Sequence, residues 1–108
     1  MPRRYQVIFD ERAHSDLVGI QSYLSDARSD AFAENFVARI VTFCESLRTI
    51  PHRGTQLTID GVSLRIVSWH RSVTVAFQVN DKTQSVFVLA ILYRGRDVPA
   101  ALGKRLKD

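Results

Sequence analysis

Apolar residues recur with a helical period through the first half of the chain, after a short alternating segment at its start. Residues 5–9, YQVIF, alternate and are rich in β-prone side chains, which predicts a first strand. An amphipathic pattern then predicts a helix over residues 11–25, with Asp10 as its N-cap. A second stripe predicts another helix within residues 30–49, with Asp30 as the expected N-cap. The two stripes consist of Ala13, Leu17, Ile20 and Leu24, and of Phe32, Phe36, Ile40, Phe43 and Leu47.

Beyond the Pro51 to Gly54 segment the period changes from helical to alternating. Proline stops the helix and glycine permits an unusual turn, so this segment ends the helical part. Three strands are predicted after it, joined by a tight turn at 70–71 and a hairpin loop at 80–83. The strands cover residues 63–69, 72–79 and 85–93. A short helix from about Val98 closes the chain.

These elements predict an α+β fold of order β-α-α-β-β-β. The helical hairpin packs on one face of a mainly antiparallel sheet. Strand 85–93 is apolar on both faces, the pattern of a strand covered on both sides. One helix pair covers only one face, so either the C-terminal tail folds back over the other face or a partner covers it.

Length and composition are those of one ordinary globular domain, which we expect to span residues 1–108. The chain is 45% hydrophobic and 24% charged, and a chain of this length can bury a core without metal or disulfide support. No apolar run approaches the roughly 18–20 residues that a membrane-spanning helix needs. The apolar run near the N-terminus is too short for a signal peptide. The one cysteine, Cys44, cannot form an internal disulfide and favours the reducing cytoplasm.

The net charge of +4 is concentrated in the second half of the chain. Residues 1–50 carry six Lys or Arg against seven Asp or Glu, whereas residues 51–108 carry nine against four. This asymmetry favours an acidic partner, either nucleic acid, an acidic protein surface or an acidic peptide. Charge that serves only to keep the protein in solution is the alternative explanation of this distribution.

Candidate catalytic residues are few. Cys44 lies on the inward stripe of the second helix and is expected to fill the core. The histidines are scattered and, with one cysteine, give no zinc-ligand spacing. No carboxylate pair and no glycine-rich phosphate loop stands out. The sequence therefore predicts no catalytic residue, no metal site and no cofactor.

Arginines beside an aromatic residue are the candidate binding groups. We expect several guanidiniums to converge near one end of the sheet, where they can bind phosphates or carboxylates in a bidentate manner. Arg65 lies inside an otherwise apolar strand and needs a partner, so its role is either structural or in recognition. The candidate binding residues are Arg53, Arg65, Arg71, Tyr93, Arg94 and Arg96.

An ordered set of short motifs resembles the RelE/ParE toxin superfamily, and its ParE or plasmid-stabilisation branch in particular. The set runs from residue 5 to about 102, and its most specific parts are the P-x-R-G turn and the closing R-G-R-D. Its members are YQVIF at 5–9, D-E-R-A-x-x-D-L at 10–17, I-x-x-Y-L at 20–24, F-V-x-R-I at 36–40, L-x-x-I-P-x-R-G at 47–54, L-R at 64–65 and VFVLAILYRGRD at 86–97.

The resemblance implies a toxin of a type II toxin–antitoxin pair, held in a hetero-oligomer by the C-terminal segment of a cognate antitoxin. That segment is expected on the apolar sheet face of strand 85–93, and contact with DNA only through the antitoxin. RelE-like members cut mRNA on the ribosome with basic strand residues and a tyrosine near the C-terminus. Arg94 matches one such arginine, but Thr74 and Ala100 stand where a second arginine and the tyrosine would be.

ParE-like members instead poison DNA gyrase and are not nucleases. The departures at Thr74 and Ala100 favour gyrase inhibition over RNA cleavage. A non-toxic binding module of the same fold is a third alternative, which the sequence alone does not separate from an active toxin.

Overall fold

In the computed structural model, which describes residues 4–95 and 97–107, three α-helices pack on a five-stranded sheet. The elements are β1 Gln6–Phe9, α1 Glu11–Ala27, α2 Asp30–Glu45, β2 Thr55–Ile59, β3 Val62–Trp69, β4 Val73–Asn80, β5 Ser85–Tyr93 and α3 Val98–Lys107. A single 3₁₀ turn, Ser46–Arg48, extends α2. The predicted α+β class and the helical hairpin are confirmed. Helix α1 extends two residues beyond the predicted range 11–25, and α2 lies inside the predicted range 30–49.

The sheet has the strand order β1-β5-β4-β3-β2. Three of its four pairings are antiparallel, and β1 pairs with β5 in parallel. The register of β4 and β5 shifts once: Phe77 lies opposite Val88 whereas Ala76 lies opposite Ala90, which leaves Leu89 as an extra residue in β5. This β-bulge re-aims the second half of β5, a common effect of an inserted residue.

Strand β2 is a difference from the sequence prediction, which left residues 55–62 without structure. The signal for it is Asp60-Gly61, a pair that favours a two-residue hairpin turn because both positions accept a positive φ. Their φ angles are 49° and 79°, and the turn joins β2 to β3 with Ile59 opposite Val62. The sheet therefore has one more strand than predicted.

The cap of α2 is a second correction. Asp10 caps α1 as predicted, its side chain accepting a hydrogen bond from the Arg12 N–H. Asp30, however, is the first residue inside α2, and Ser29 is the N-cap, with its Oγ accepting from the Phe32 N–H at 3.1 Å. A serine hydroxyl caps a helix as well as a carboxylate does, so the adjacent Ser29 takes the cap position without loss of the hydrogen bond.

Ser29→Ala is expected to lower the free energy of unfolding by about 1 kcal/mol, because it leaves the Phe32 N–H without its acceptor. Asp30→Ala is the matched control. It removes only a favourable charge near the helix N-terminus, worth about 0.3–1 kcal/mol. Urea denaturation of both variants measures the difference, and a larger loss for Asp30→Ala would contradict the assignment of the cap.

Two apolar clusters lie on the two faces of the sheet. The larger one packs α1 and α2 against the sheet and includes Phe77 and Ile40, both fully buried. The smaller one packs α3 against the other face through Leu102, which is 0% exposed. Of the two alternatives for the second face of β5, the tail folds back and covers it. The face on which an antitoxin segment is expected is therefore occupied by α3 in the chain by itself.

Candidate functional site

Arg65 reaches from β3 to the loop that precedes β2. Its Nε donates to the Arg53 carbonyl at 3.0 Å, and its Nη2 donates to the carbonyls of His52 at 2.7 Å and Gly54 at 3.2 Å. Three carbonyls of a chain reversal thus converge on one guanidinium. Arg65 has the structural partner that an arginine in an apolar strand needs, and it fixes the path of the loop.

Gly54 shows why this loop requires glycine. Its φ is 87°, and an added Cβ would lie 2.2 Å from the Ile66 carbonyl oxygen. Both the left-handed backbone and the close approach exclude a larger residue. Arg53 is thereby held above α2, with its guanidinium carbon 5.3 Å from the centre of the Phe43 ring.

A second group of predicted residues lies at the far end of β5. Tyr93 lies opposite Val73 in the sheet, and the Arg94 N–H donates to the Ser72 carbonyl at 2.7 Å. The Arg94 guanidinium stacks 5.1 Å from the Tyr93 ring centre. Arg71 is exposed in the adjacent β3–β4 turn with a φ of 61°. The candidate arginines therefore form two groups, and Arg96 lies outside the described residues.

Strand β5 has an open edge along its second half. β1 ends at Phe9, which pairs with Val88, so no strand of the described chain continues beside β5 beyond that point. Since the Arg94 N–H donates to Ser72, the residue just before β4, the backbone groups of Tyr93 and Ile91 point away from β4 in the antiparallel ladder. The Ile91 N–H is taken by Asp16 of α1, which accepts it at 2.9 Å.

Asp16 and Arg105 form an ion pair that joins this edge to both helices beside it. Arg105 of α3 donates to the two Asp16 carboxylate oxygens at 2.9 and 3.1 Å. It also donates to the carbonyl of the bulge residue Leu89 at 2.9 Å. Arg12 of α1 donates to the Arg105 carbonyl at 2.7 Å. The Ile91 N–H and the Leu89 carbonyl, which lie at and beside the bulge, are thus hydrogen-bonded by Asp16 and Arg105. The same two side chains tie α3 to α1.

A groove of about 650 Å³ runs between α1 and this open edge of β5. Ile20 and Tyr23 form its α1 wall, Ile91 and Tyr93 its floor, and Arg94 its rim. The Tyr23 and Tyr93 rings lie 6.0 Å apart. The groove has apolar side chains along one strand edge and Arg94 at one end, and the carboxylates of Asp16 and Asp97 also line it.

The two carboxylates that line this groove already have partners: Asp16 pairs with Arg105, and Asp97 accepts a hydrogen bond from the Ala100 N–H at 3.0 Å. Burial raises the pKa of the Cys44 thiol to about 12, and the nearby Glu45 adds to the effect, so it fills the core as predicted. Tyr5 and His52 both bond Asp81 Oδ1, and the hydrogen bond from the Tyr5 hydroxyl is the main reason that the Asp81 pKa is lowered. Across residues 4–95 and 97–107, His, Cys, Asp and Glu side chains form no cluster able to hold a metal.

Sequence reasoning missed Asp16, Arg12 and Arg105. Asp16 and Arg105 are separated by 89 positions, and each alone is an ordinary helix-surface charge. The bulge in β5 is the feature that calls for these polar partners, because it leaves backbone groups unpaired. The position of a bulge cannot be predicted from a continuous apolar run such as that of β5.

The described helices include none that is long and apolar enough to cross a membrane. The fold is similar to that of chains in two solved toxin–antitoxin structures. One similar solved structure is the toxin–antitoxin complex RelBE2 from Mycobacterium tuberculosis, with a TM-score of 0.69 and 18% identity over 89% of this chain and 98% of the other. Another is the chromosomal ParDE system from P. aeruginosa, with a TM-score of 0.72 and 17% identity over 85% of this chain and 98% of the other.

A family model settles the class more closely. Residues 7–98 match the ParE toxin of the type II toxin–antitoxin system parDE, so the chain belongs to the ParE toxin family. No curated protein matches the chain. The resemblance found in the sequence motifs is confirmed.

Proposed function

We propose that this chain is a ParE-type toxin that inhibits DNA gyrase and is silenced by the C-terminal segment of a cognate antitoxin. The observation that carries the proposal is the match to the ParE family over residues 7–98. We further propose that residues 1–108 act as one domain in the cytoplasm, where the buried Cys44 thiol stays reduced.

The chemistry at the RelE-like positions supports gyrase inhibition over RNA cleavage. Thr74 lies half-buried in β4 opposite Leu92, and Ala100 is exposed on α3. Neither can donate or accept a proton as a catalytic acid or base, which RNA cleavage by general acid–base chemistry requires. Arg94 remains at the groove rim, where it can bind a partner.

The groove along β5 is the place we propose for the antitoxin segment. An extended peptide there adds to the open strand edge, with the backbone groups of Tyr93 available to it. Its apolar side chains fall between Ile20 and Tyr23, and an acidic side chain meets Arg94 at the rim. Burial of apolar area supplies most of the affinity, and the rim charge sets the association rate and the specificity.

Purified protein is expected to inhibit supercoiling by gyrase and to leave mRNA intact on translating ribosomes, with the antitoxin restoring supercoiling. Arg94→Ala is expected to weaken inhibition in a graded way, by about 1–3 kcal/mol if the contact is desolvated. Loss of a transition-state contact in a nuclease would instead cost about 10²–10³ in rate. Cleavage of mRNA with unaffected gyrase would replace the proposal with the RelE-like activity, and failure in both assays would leave a binding module.

A further inference from the structure

A second groove, of about 440 Å³, lies between α2, the end of β3 and the loop before β2. We call it the α2 groove. Its lining residues are Arg39, Thr42, Phe43, Ser46, Arg53 and Trp69, and none of them lines the groove along β5. Nothing in the proposed function uses this surface.

Trp69 forms a fixed floor for the α2 groove. It is 9% exposed and packs edge-to-face against Phe36, with ring centres 5.3 Å apart, and against His70 at 4.3 Å. The Arg39 guanidinium carbon lies 5.4 Å above the Trp69 ring. Packing on several sides holds the indole in place, and the cation–π contact holds the guanidinium plane over it.

Arg53 is held over the groove by three separate constraints. Its guanidinium stacks on Phe43, its Nη1 donates to the Ser46 Oγ at 3.4 Å, and Arg65 fixes its backbone through the Arg53 carbonyl. A guanidinium ordered in this way loses less side-chain entropy when it binds an oxyanion.

The α2 groove is positively charged and its charges are available. None of its lining residues is acidic. The ion pairs among the described residues involve Arg12, Arg48, His52 and Arg105, and neither Arg39 nor Arg53. Two ordered guanidiniums that lack carboxylate partners, above an apolar floor, are complementary to carboxylates on a chain that also carries apolar groups.

Nucleic acid fits this surface less well than protein. Single-stranded nucleic acid binds by stacking its bases on open aromatic faces. Here Arg39 covers the Trp69 ring and Arg53 covers the Phe43 ring, so a base would have to displace the guanidinium that binds its phosphate. We propose that the α2 groove binds an acidic segment of a protein partner, with Asp or Glu carboxylates on Arg39 and Arg53.

Trp69 is the one tryptophan of the chain, so its fluorescence reports occupancy of the groove directly. A short polyglutamate peptide is expected to change this fluorescence saturably, with an affinity that falls as salt is raised. Arg39→Ala and Arg53→Ala are each expected to weaken binding about tenfold, the effect of losing one charge-assisted contact. Arg39→Lys is expected to bind the peptide with an affinity between those of the wild type and Arg39→Ala, because lysine keeps the charge and loses the planar guanidinium.

Arg28→Ala is the matched control. Arg28 also stacks on an aromatic ring, Phe32, at 4.2 Å, but it does not line the α2 groove. Its loss should change the affinity by about twofold or less, the effect of one screened surface charge. Arg39 is exposed, so its variants are expected to keep the fold, which their thermal unfolding checks.

Three results would overturn the inference. One is no fluorescence change with the wild-type chain, and another is equal weakening by Arg28→Ala and Arg39→Ala. The third is tighter binding of an oligothymidylate of the same charge that depends on Arg39 and Arg53, which would assign the groove to nucleic acid. Gyrase inhibition is measured separately, so failure of the proposed function leaves this test intact.

Discussion

Phe77→Ala is expected to lower the free energy of unfolding by about 3–5 kcal/mol, the range for removing a buried aromatic ring from a core. Phe77 is 0% exposed and lies at the centre of β4, between Arg65 of β3 and Val88 of β5. The neighbouring backbone is fixed by two sheet ladders and cannot collapse into the space left by the ring. Since domains of this kind are stable by about 5–15 kcal/mol, the change removes a large part of the total.

Urea denaturation measures this effect, and an unchanged m value would show that the unfolding transition itself is unaltered. Phe36→Ala is the control, because Phe36 is only partly buried and packs at the edge of the same cluster. It should cost clearly less than Phe77→Ala. A loss of less than about 1 kcal/mol for Phe77→Ala would mean that the core has been wrongly located.

The helical stripes were legible in the sequence because their period depends only on local geometry. All four stripe residues of α1 are buried: Ala13, Leu17, Ile20 and Leu24. In the stripe of α2, Ile40 and Leu47 are fully buried, whereas the three phenylalanines are only partly buried. Arg28 stacks on Phe32 and Arg53 on Phe43, whereas Phe36 packs against Trp69. The contacts of Phe36 and Phe43 therefore depend on residues far away along the chain.

What the sequence did not reveal depends on pairing between distant segments. Strand β2 exists because Asp60-Gly61 turns the chain back along β3. The sequence leaves open whether the C-terminal tail or a partner covers the second face of β5, because the choice depends on Leu102 of α3 reaching that face. In both cases the sequence shows the pattern of one segment but not which distant segment pairs or packs with it.

In the candidate site too, the sequence indicates the residue types, whereas their contacts depend on distant segments. Arginines were recognised as a group, yet chain position could not say that Arg65 bonds three carbonyls while Arg53 and Arg94 face open grooves. In the sequence, nothing distinguishes Arg39 from an ordinary solvated charge on a helix surface. Only the structure shows that it lies above Trp69.

The ion pair between Asp16 and Arg105 links α3 to α1. The two side chains are 18% and 19% exposed, and Asp16 also accepts the Ile91 N–H of the open strand edge. Removing Asp16 therefore leaves the Ile91 amide without its acceptor, and it leaves the Arg105 guanidinium without a carboxylate although the Leu89 carbonyl still accepts from it. Fully buried pairs cost about 3–5 kcal/mol to break in this way, and partial exposure lowers the cost here.

Asp16→Ala is accordingly expected to lower the free energy of unfolding by about 2–3 kcal/mol. Asp16→Asn should cost less, because its side-chain oxygen can still accept the Ile91 N–H. A double-mutant cycle with Arg105→Ala is expected to give a coupling energy of about 1–2 kcal/mol. Hydrogen exchange gives the local test: in Asp16→Ala the amides of α3 should exchange faster relative to those of α2. Additive effects in the cycle, together with unchanged exchange in α3, would show that Leu102 and its apolar neighbours hold this helix without the ion pair.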